Sequence, residues 1–190
     1  MSSHCQILKI KTLNIQKTNI FEKGVGTLLL ETQFDRAIGK YWGKVRFDLM
    51  LYSTPPITFN RVIERVKERC GCKSYLLLKD IFPQNAVDLG MFSRYGLLYH
   101  FFRKKEKKLY QVSDQIGCMS PANAAYVLSH HPEIDPKKIH INPNSIELRT
   151  EQVIDKQATK KKYGLLTDRS VFIYGGNLGK PQGIDFCFKS

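Results

Sequence analysis

Two stretches of this sequence set reactive or ligand-binding groups where a fold could hold them still. In YLLLKDIFPQN, residues 75–85, the apolar run Tyr75–Leu78 ends in Lys79 and Asp80. A carboxylate held at a strand end can take the proton of a hydroxyl within hydrogen-bond reach. Lys79 stands beside Asp80, and Gln84 and Asn85 add neutral hydrogen-bonding groups suited to a polar ligand, or equally to the loop backbone. Asp80 can instead cap the loop that Pro83 turns. In SVFIYGGNLGKPQGID, residues 170–185, the run Val171–Ile173 meets Gly175, Gly176, Asn177, Gly179, Lys180, Gln182 and Gly183. A buried strand, a tight glycine loop and the start of a helix would together turn backbone N–H groups toward a phosphate.

The elements that must position these groups follow from the apolar pattern. Residues 6–13 alternate and predict a strand. Residues 27–42 carry Leu28, Leu29, Leu30, Phe34, Ala37, Ile38, Tyr41 and Trp42 at helical spacing, with one apolar face. Strands are expected at 47–52, 75–78, 116–119 and 138–141, and helices at 58–70, 94–112 and 121–130. Ser120 and Pro121 suit the cap and first position of the last of these helices. Residues 147–163 are polar and lysine-rich and read as a linker or an exposed helix. Strand alternates with helix, and the strand runs are apolar without a period of two. That pattern predicts an α/β fold with a parallel sheet covered on both faces. Ligands of such sheets bind at the carboxyl ends of the strands. The loops there are YSTPP, KDIFPQN, MSPAN and NPNS, which adds Ser53, Thr54, Ser120 and Asn144 as cleft candidates. Turn chemistry for Ser53 and Thr54, capping for Ser120 and a hinge for Asn144 are the competing roles.

Charge and cysteine content bound the partners. The chain of 190 residues carries 30 Lys and Arg against 17 Asp and Glu, a net charge of +13. Such an excess favours an anionic partner. No RNP or zinc-finger signature supports nucleic acid. The five cysteines include Cys70-Gly71-Cys72, a C-x-C spacing that does not suit zinc, so no metal site is expected. The start of the chain has no signal-like apolar run, which points to a cytoplasmic setting. No apolar run approaches the ~20 residues of a membrane span. The stretch Phe101, Phe102, Arg103, Lys104, Lys105, Lys107 and Lys108 suits a helix lying on an anionic membrane, its apolar side down. A solvated helix face over the core is the alternative. A non-catalytic basic module that binds membrane or nucleic acid therefore stands beside any enzymatic function.

Four segments in order, KDIFPQNAVDLGM (79–91), GCMSPANAAYVL (117–128), KIHINPNSIE (138–147) and FIYGGNLGKPQGID (172–185), resemble glycosyltransferases of the GT-B type, family 4. The likeness is greatest to bacterial enzymes of surface-polysaccharide and lipid-linked oligosaccharide assembly. It implies a Rossmann-like parallel sheet with helices on both faces as acceptor-side domain, residues 1–146, lacking its first strand, loop and helix. It implies a crossing at 147–169, and at 170–190 the first strand and glycine loop of the nucleotide-sugar domain. Where the family usually shows P-N-G-V-D, this chain has Pro143-Asn144-Ser145-Ile146-Glu147. The implied donor is a nucleotide-diphosphate sugar, bound at its diphosphate by the glycine loop. The acceptor is a saccharide or lipid-linked hydroxyl served by Asp80, with no cofactor and no metal. A chain shortened at both ends would transfer little sugar alone, and a separately encoded C-terminal half is an implied partner. The implied place is the cytoplasm or the inner face of the plasma membrane.

Overall fold

The protein is described by a computed structural model, which covers residues 5–12, 20–147, 154–179, 182–183 and 186, with the backbone alone over 20–28. The chain divides into two compact units, Met1–Asn144 and Ser145–Ser190. In the first, α1 (Ile20–Trp42) precedes β1 (Leu49–Ser53), α2 (Asn60–Cys70), β2 (Lys73–Leu78) and the short α3 (Gln84–Asp88). Then follow α4 (Leu97–Val112), β3 (Gln115–Cys118), α5 (Pro121–His130), a 3-10 turn at Pro136–Lys138 and β4 (Ile139–Ile141). The strands form one sheet in the order β1-β2-β3-β4, every pair parallel. This is the parallel α/β, Rossmann-like arrangement that the sequence predicts, but α2, α4 and α5 pack on one face and leave Leu49 and Leu51 of the other more than half exposed, where a cover on both faces was expected. Tyr75 stands opposite Leu51 and Gln115, and Cys118 opposite Leu78 and Ile141, so the strands end nearly level.

Local chemistry explains where the helices stop and start. On α2 the residues Val62, Ile63 and Val66 are buried. Gly71 ends it at φ +68, a left-handed conformation that favours glycine, and its N–H donates to the Lys67 carbonyl at 2.7 Å. Ser120 accepts from the Asn123 N–H at 3.2 Å, and Pro121 opens α5 as predicted. One face of the sheet, with Leu76, Leu78, Ile116 and Cys118, packs beneath Ile63, Leu109, Tyr110 and Val127 as the core. Each such side chain contributes about 1.5–3 kcal/mol on burial. The other face carries Leu49 and Leu51, both more than half exposed, with Tyr75 and Leu77 half-buried between them and Gly117.

Inside α4 the pattern is less apolar than expected. Glu106 is fully buried and accepts from the Tyr110 hydroxyl at 3.0 Å and from Arg103. Arg103 also meets the buried His131 ring and donates to the His130 carbonyl at 2.8 Å, tying α4 to the end of α5. A buried carboxylate is tolerable only when so completely paired.

Two further sequence expectations need correction. Residues 6–12 form no strand and make no backbone pairing among the described residues; Leu13 lies outside them. Alternation marks which side of an extended chain is apolar, but a strand also needs a neighbour. Val171–Ile173 is likewise no buried strand: Phe172 is 95% exposed, and the described residues of the second unit contain no strand to pair with it. The described residues of that unit include α6 (Lys156–Lys162), capped by Asp155, which accepts from the N–H groups of Gln157 and Ala158, with no buried side chain.

Candidate functional site at the carboxyl edge of the sheet

The carboxyl edge is organised by Thr54. Its side chain is buried, and its hydroxyl accepts from the N–H groups of Lys79 at 3.1 Å and Asp80 at 3.2 Å while donating to the Asp80 carbonyl at 3.1 Å. The Thr54 N–H reaches the Leu77 carbonyl at 3.2 Å. One side chain thus fastens the ends of β1 and β2 and fixes the backbone of Asp80. Thr54 is spent on this task, while Lys79 and Asp80 are exposed and Ser53 is half-buried beside them. Gln84 donates to Asp88 at 2.7 Å and lies 3.5 Å from the Tyr99 hydroxyl. Asn85 donates its N–H to Ile81, and its side-chain oxygen is shut from solvent without a hydrogen-bond partner.

At the other end of the edge, Ser120 is occupied as a helix cap, also donating to the Asn123 side chain at 2.9 Å. Asn144 is exposed. The residue that sequence reasoning missed is Asn142. Its N–H donates to the Cys118 carbonyl at 2.7 Å, and its amide donates to the Tyr75 hydroxyl at 3.0 Å. Gly117 lies beneath: a Cβ there would be 2.4 Å from the Tyr75 hydroxyl and 2.9 Å from the Asn142 Cβ. His140 stands 5.4 Å from the Tyr75 ring. Tyr75 and Asn142, half-buried, and the exposed His140 therefore form a polar cluster on the open sheet face. A glycine inside the strand run, a sign of close approach, was the available signal.

The glycine loop belongs to the second unit and is described by itself. Gly175, Gly176 and Asn177 are exposed, and the Asn177 carbonyl accepts from the Tyr174 hydroxyl at 2.9 Å. The Gly179 N–H is taken by the Gln182 side chain at 3.1 Å, and the Gln182 N–H returns to Gly179 at 3.0 Å. Gly183 has φ +60, a left-handed turn. Lys180 lies outside the described residues.

The basic stretch on α4 separates into two faces. Phe102 packs on the Phe82 ring at 5.0 Å against the core, and Arg103 points into the Glu106–His131 cluster. Phe101, Lys104, Lys107 and Lys108 face outward; Lys108 pairs with Glu64 at 2.6 Å, Lys105 approaches Glu31 at 3.8 Å and Lys107 approaches Glu133 at 3.7 Å.

Two titrating groups report on the interior. Burial pushes the Cys118 thiol up to about 11. At the amino edge, burial works to raise the Asp114 carboxyl, but hydrogen bonds from Lys67 and Ser74 outweigh it and hold its pKa below the usual carboxylate value. Among the described residues no group of three His, Cys, Asp or Glu side chains could hold a metal ion, and no helix is long and apolar enough to cross a membrane.

No model of a known protein family matches the chain. Among curated proteins it is similar to one named "Probable glycosyltransferase WbjE", from Pseudomonas aeruginosa, at 25% identity over 141 residues. The match covers 74% of this chain and 35% of that protein, so the chain spans about a third of the length of the relative.

Proposed function

We propose that this chain supplies the acceptor-side wall of a glycosyltransferase of the GT-B type, family 4. Such an enzyme moves a sugar from a nucleotide-diphosphate donor to a hydroxyl of a saccharide or lipid-linked acceptor in cell-surface polysaccharide assembly. The observation that carries the proposal is the carboxyl edge of the parallel sheet, where Thr54 pins the Asp80 backbone and leaves the Asp80 side chain exposed. The distant likeness to a named glycosyltransferase supports it.

In this proposal residues 1–146 form the acceptor domain, 147–169 the crossing and 170–190 the start of the nucleotide-sugar domain. Asp80 accepts the proton of the attacking hydroxyl. Lys79, Gln84 and Asn85 orient the sugar, with Ser53, Ser120 and Asn144 lining the cleft. Gly175, Gly176 and Asn177 bring backbone N–H groups to the diphosphate. Transfer retains the anomeric configuration without a metal, resting on positioning and on stabilising the leaving diphosphate. A complete donor domain is needed for turnover, as part of a longer chain or as a separate half.

The test is a titration of isotope-labelled protein with saccharide acceptors, followed by amide chemical shifts. Thr54, Lys79, Asp80 and Asn142 are expected to move, and Asp80→Asn to weaken the binding several-fold. Saccharides that disturb no amide at this edge, while an oligonucleotide binds there with a steep salt dependence, would replace sugar transfer by a basic binding module.

A further inference from the structure

We propose that the first unit docks end-on against an anionic lipid bilayer through the start of α4, with Leu97 and Phe101 entering the acyl boundary and Lys104, with Arg61 of α2, meeting lipid phosphates. The inward face of α4 is spent on the core: Phe102, Leu109 and Tyr110 pack there, and Arg103 and Glu106 pair there. What remains outward is graded along the helix. Leu97, Phe101, Lys104 and Lys108 recur at spacings of four, three and four residues and so share one stripe. Its apolar part comes first, its cationic part second. Leu97 is 90% exposed and Phe101 41%, and Tyr95 and Met91 in the preceding segment are 89% and 64% exposed.

The dimensions suit an interface. Leu97 and Phe101 are about 6 Å apart along the axis, within the ~5–10 Å to which interfacial helices sink. Lys104 follows about one turn behind, at headgroup depth, where its stem reaches the phosphates, while Lys108 a turn further on is paired with Glu64. Behind Phe101 a cavity of about 490 Å³ between α2 and α4 is lined by Asn60, Arg61, Lys104, Lys105 and Lys108. Glu64 on its wall is paired with Lys108, and Glu31 accepts from the Arg61 backbone N–H at 2.5 Å, but the Arg61 and Lys104 side chains form no ion pair among the described residues.

Charge complementarity selects the occupant. A second copy would bring lysine against lysine, and nucleic acid would reward the cations while leaving Leu97, Met91 and Phe101 in water. An anionic bilayer satisfies both parts of the stripe. Because α4 starts on the side of the sheet where β2 ends, docking would turn the Asp80 edge toward the lipid. The docking itself does not depend on sugar transfer, and its test uses no sugar.

The full 190-residue chain is sedimented with vesicles of phosphatidylcholine alone or mixed with phosphatidylglycerol. Binding is expected on the mixed vesicles, at least about tenfold weaker on neutral ones, and weaker as salt rises. The pairs Leu97→Gln with Phe101→Gln, and Arg61→Gln with Lys104→Gln, should each lower it about tenfold. Leu97→Gln alone, at an almost fully exposed position, keeps the test readable if a pair loses stability. A Leu97→Trp emission should shift to the blue on mixed vesicles, over the baseline of Trp42. Vesicle binding that is absent, or that survives loss of Leu97 and Phe101, would overturn the proposal. So would an oligonucleotide that binds these residues more tightly than vesicles do, or self-association that Leu97→Gln abolishes.

Discussion

Tyr75–Leu78 and Val171–Ile173 are alike as sequence: short apolar runs, each leading into a polar or glycine-rich loop. In the fold they part completely. The first is the second strand of a parallel sheet, flanked by β1 and β3, with Leu76 and Leu78 almost without exposure. The second pairs with no strand among the described residues, and Phe172 and Ile173 stand in solvent. The difference lies in the neighbours. β1 and β3 supply ladder partners and α2, α4 and α5 supply a cover, and the loop after β2 gains a defined shape because Thr54 reaches across from β1. A loop is only as well placed as the strand that delivers it.

The contrast can be broken most forcefully at Leu76. Truncation to Ala in a fully buried site should cost about 2–5 kcal/mol, from lost transfer energy plus the cavity left behind. Denaturant unfolding followed by far-ultraviolet circular dichroism reads this directly. A cost below about 1 kcal/mol would mean that β2 is not held by its core, and the distinction between the runs would lapse.

Much of the first unit was legible because its signals are local. The cap at Ser120, Pro121 at the first turn and the non-alternating strand runs each act through nearby atoms. The four strands and helices α2, α4 and α5 follow from them, whereas the short α3 stands where the sequence suggests only a strand-end loop. The failures, at residues 6–12 and 171–173, depend on whether a distant segment is present to pair, which a window of sequence cannot report. At the candidate site Asp80 was legible as the end of an apolar run. The role of Thr54 was not, because its partners lie about two dozen residues away. Asn142 became visible only through its contact with Tyr75 over Gly117. On α4 the periodicity was plain, but two of the expected surface residues turn inward: Phe102 packs on Phe82 against the core, and Arg103 pairs with the buried Glu106.

A subtler way to sharpen the comparison is acid. β2 is also held at its start: the Asp114 carboxylate accepts from the Ser74 N–H and hydroxyl, both at 2.8 Å, and pairs with Lys67 at 2.7 Å. Its folded pKa lies below the usual value, so its contribution is present above the unfolded carboxylate pKa of about 4 and is lost as pH falls through the lower folded value. The pair is partly exposed, and its worth is about 1 kcal/mol or less. Asp114→Asn should therefore lower the melting temperature near pH 7 and converge on the unsubstituted protein in acid. Curves that run parallel at every pH would remove Asp114 from the list of neighbours that hold β2.

The smallest expected effect is the most direct statement about the second run. Phe172 is as large and apolar as any residue of the core, and in a buried strand its truncation would cost about 3–5 kcal/mol. At 95% exposure it has almost no packing to lose, so Phe172→Ala should change stability by no more than about 0.5 kcal/mol. Exposure is also the reason the substitution is informative where the Leu76 variant is merely severe: solvent already surrounds this ring, and removing it tests whether a neighbour exists at all. A loss of 2 kcal/mol or more in the same unfolding experiment would show that Val171–Ile173 is covered in solution. The glycine loop would then be delivered by a packed strand, as the sequence pattern alone suggests.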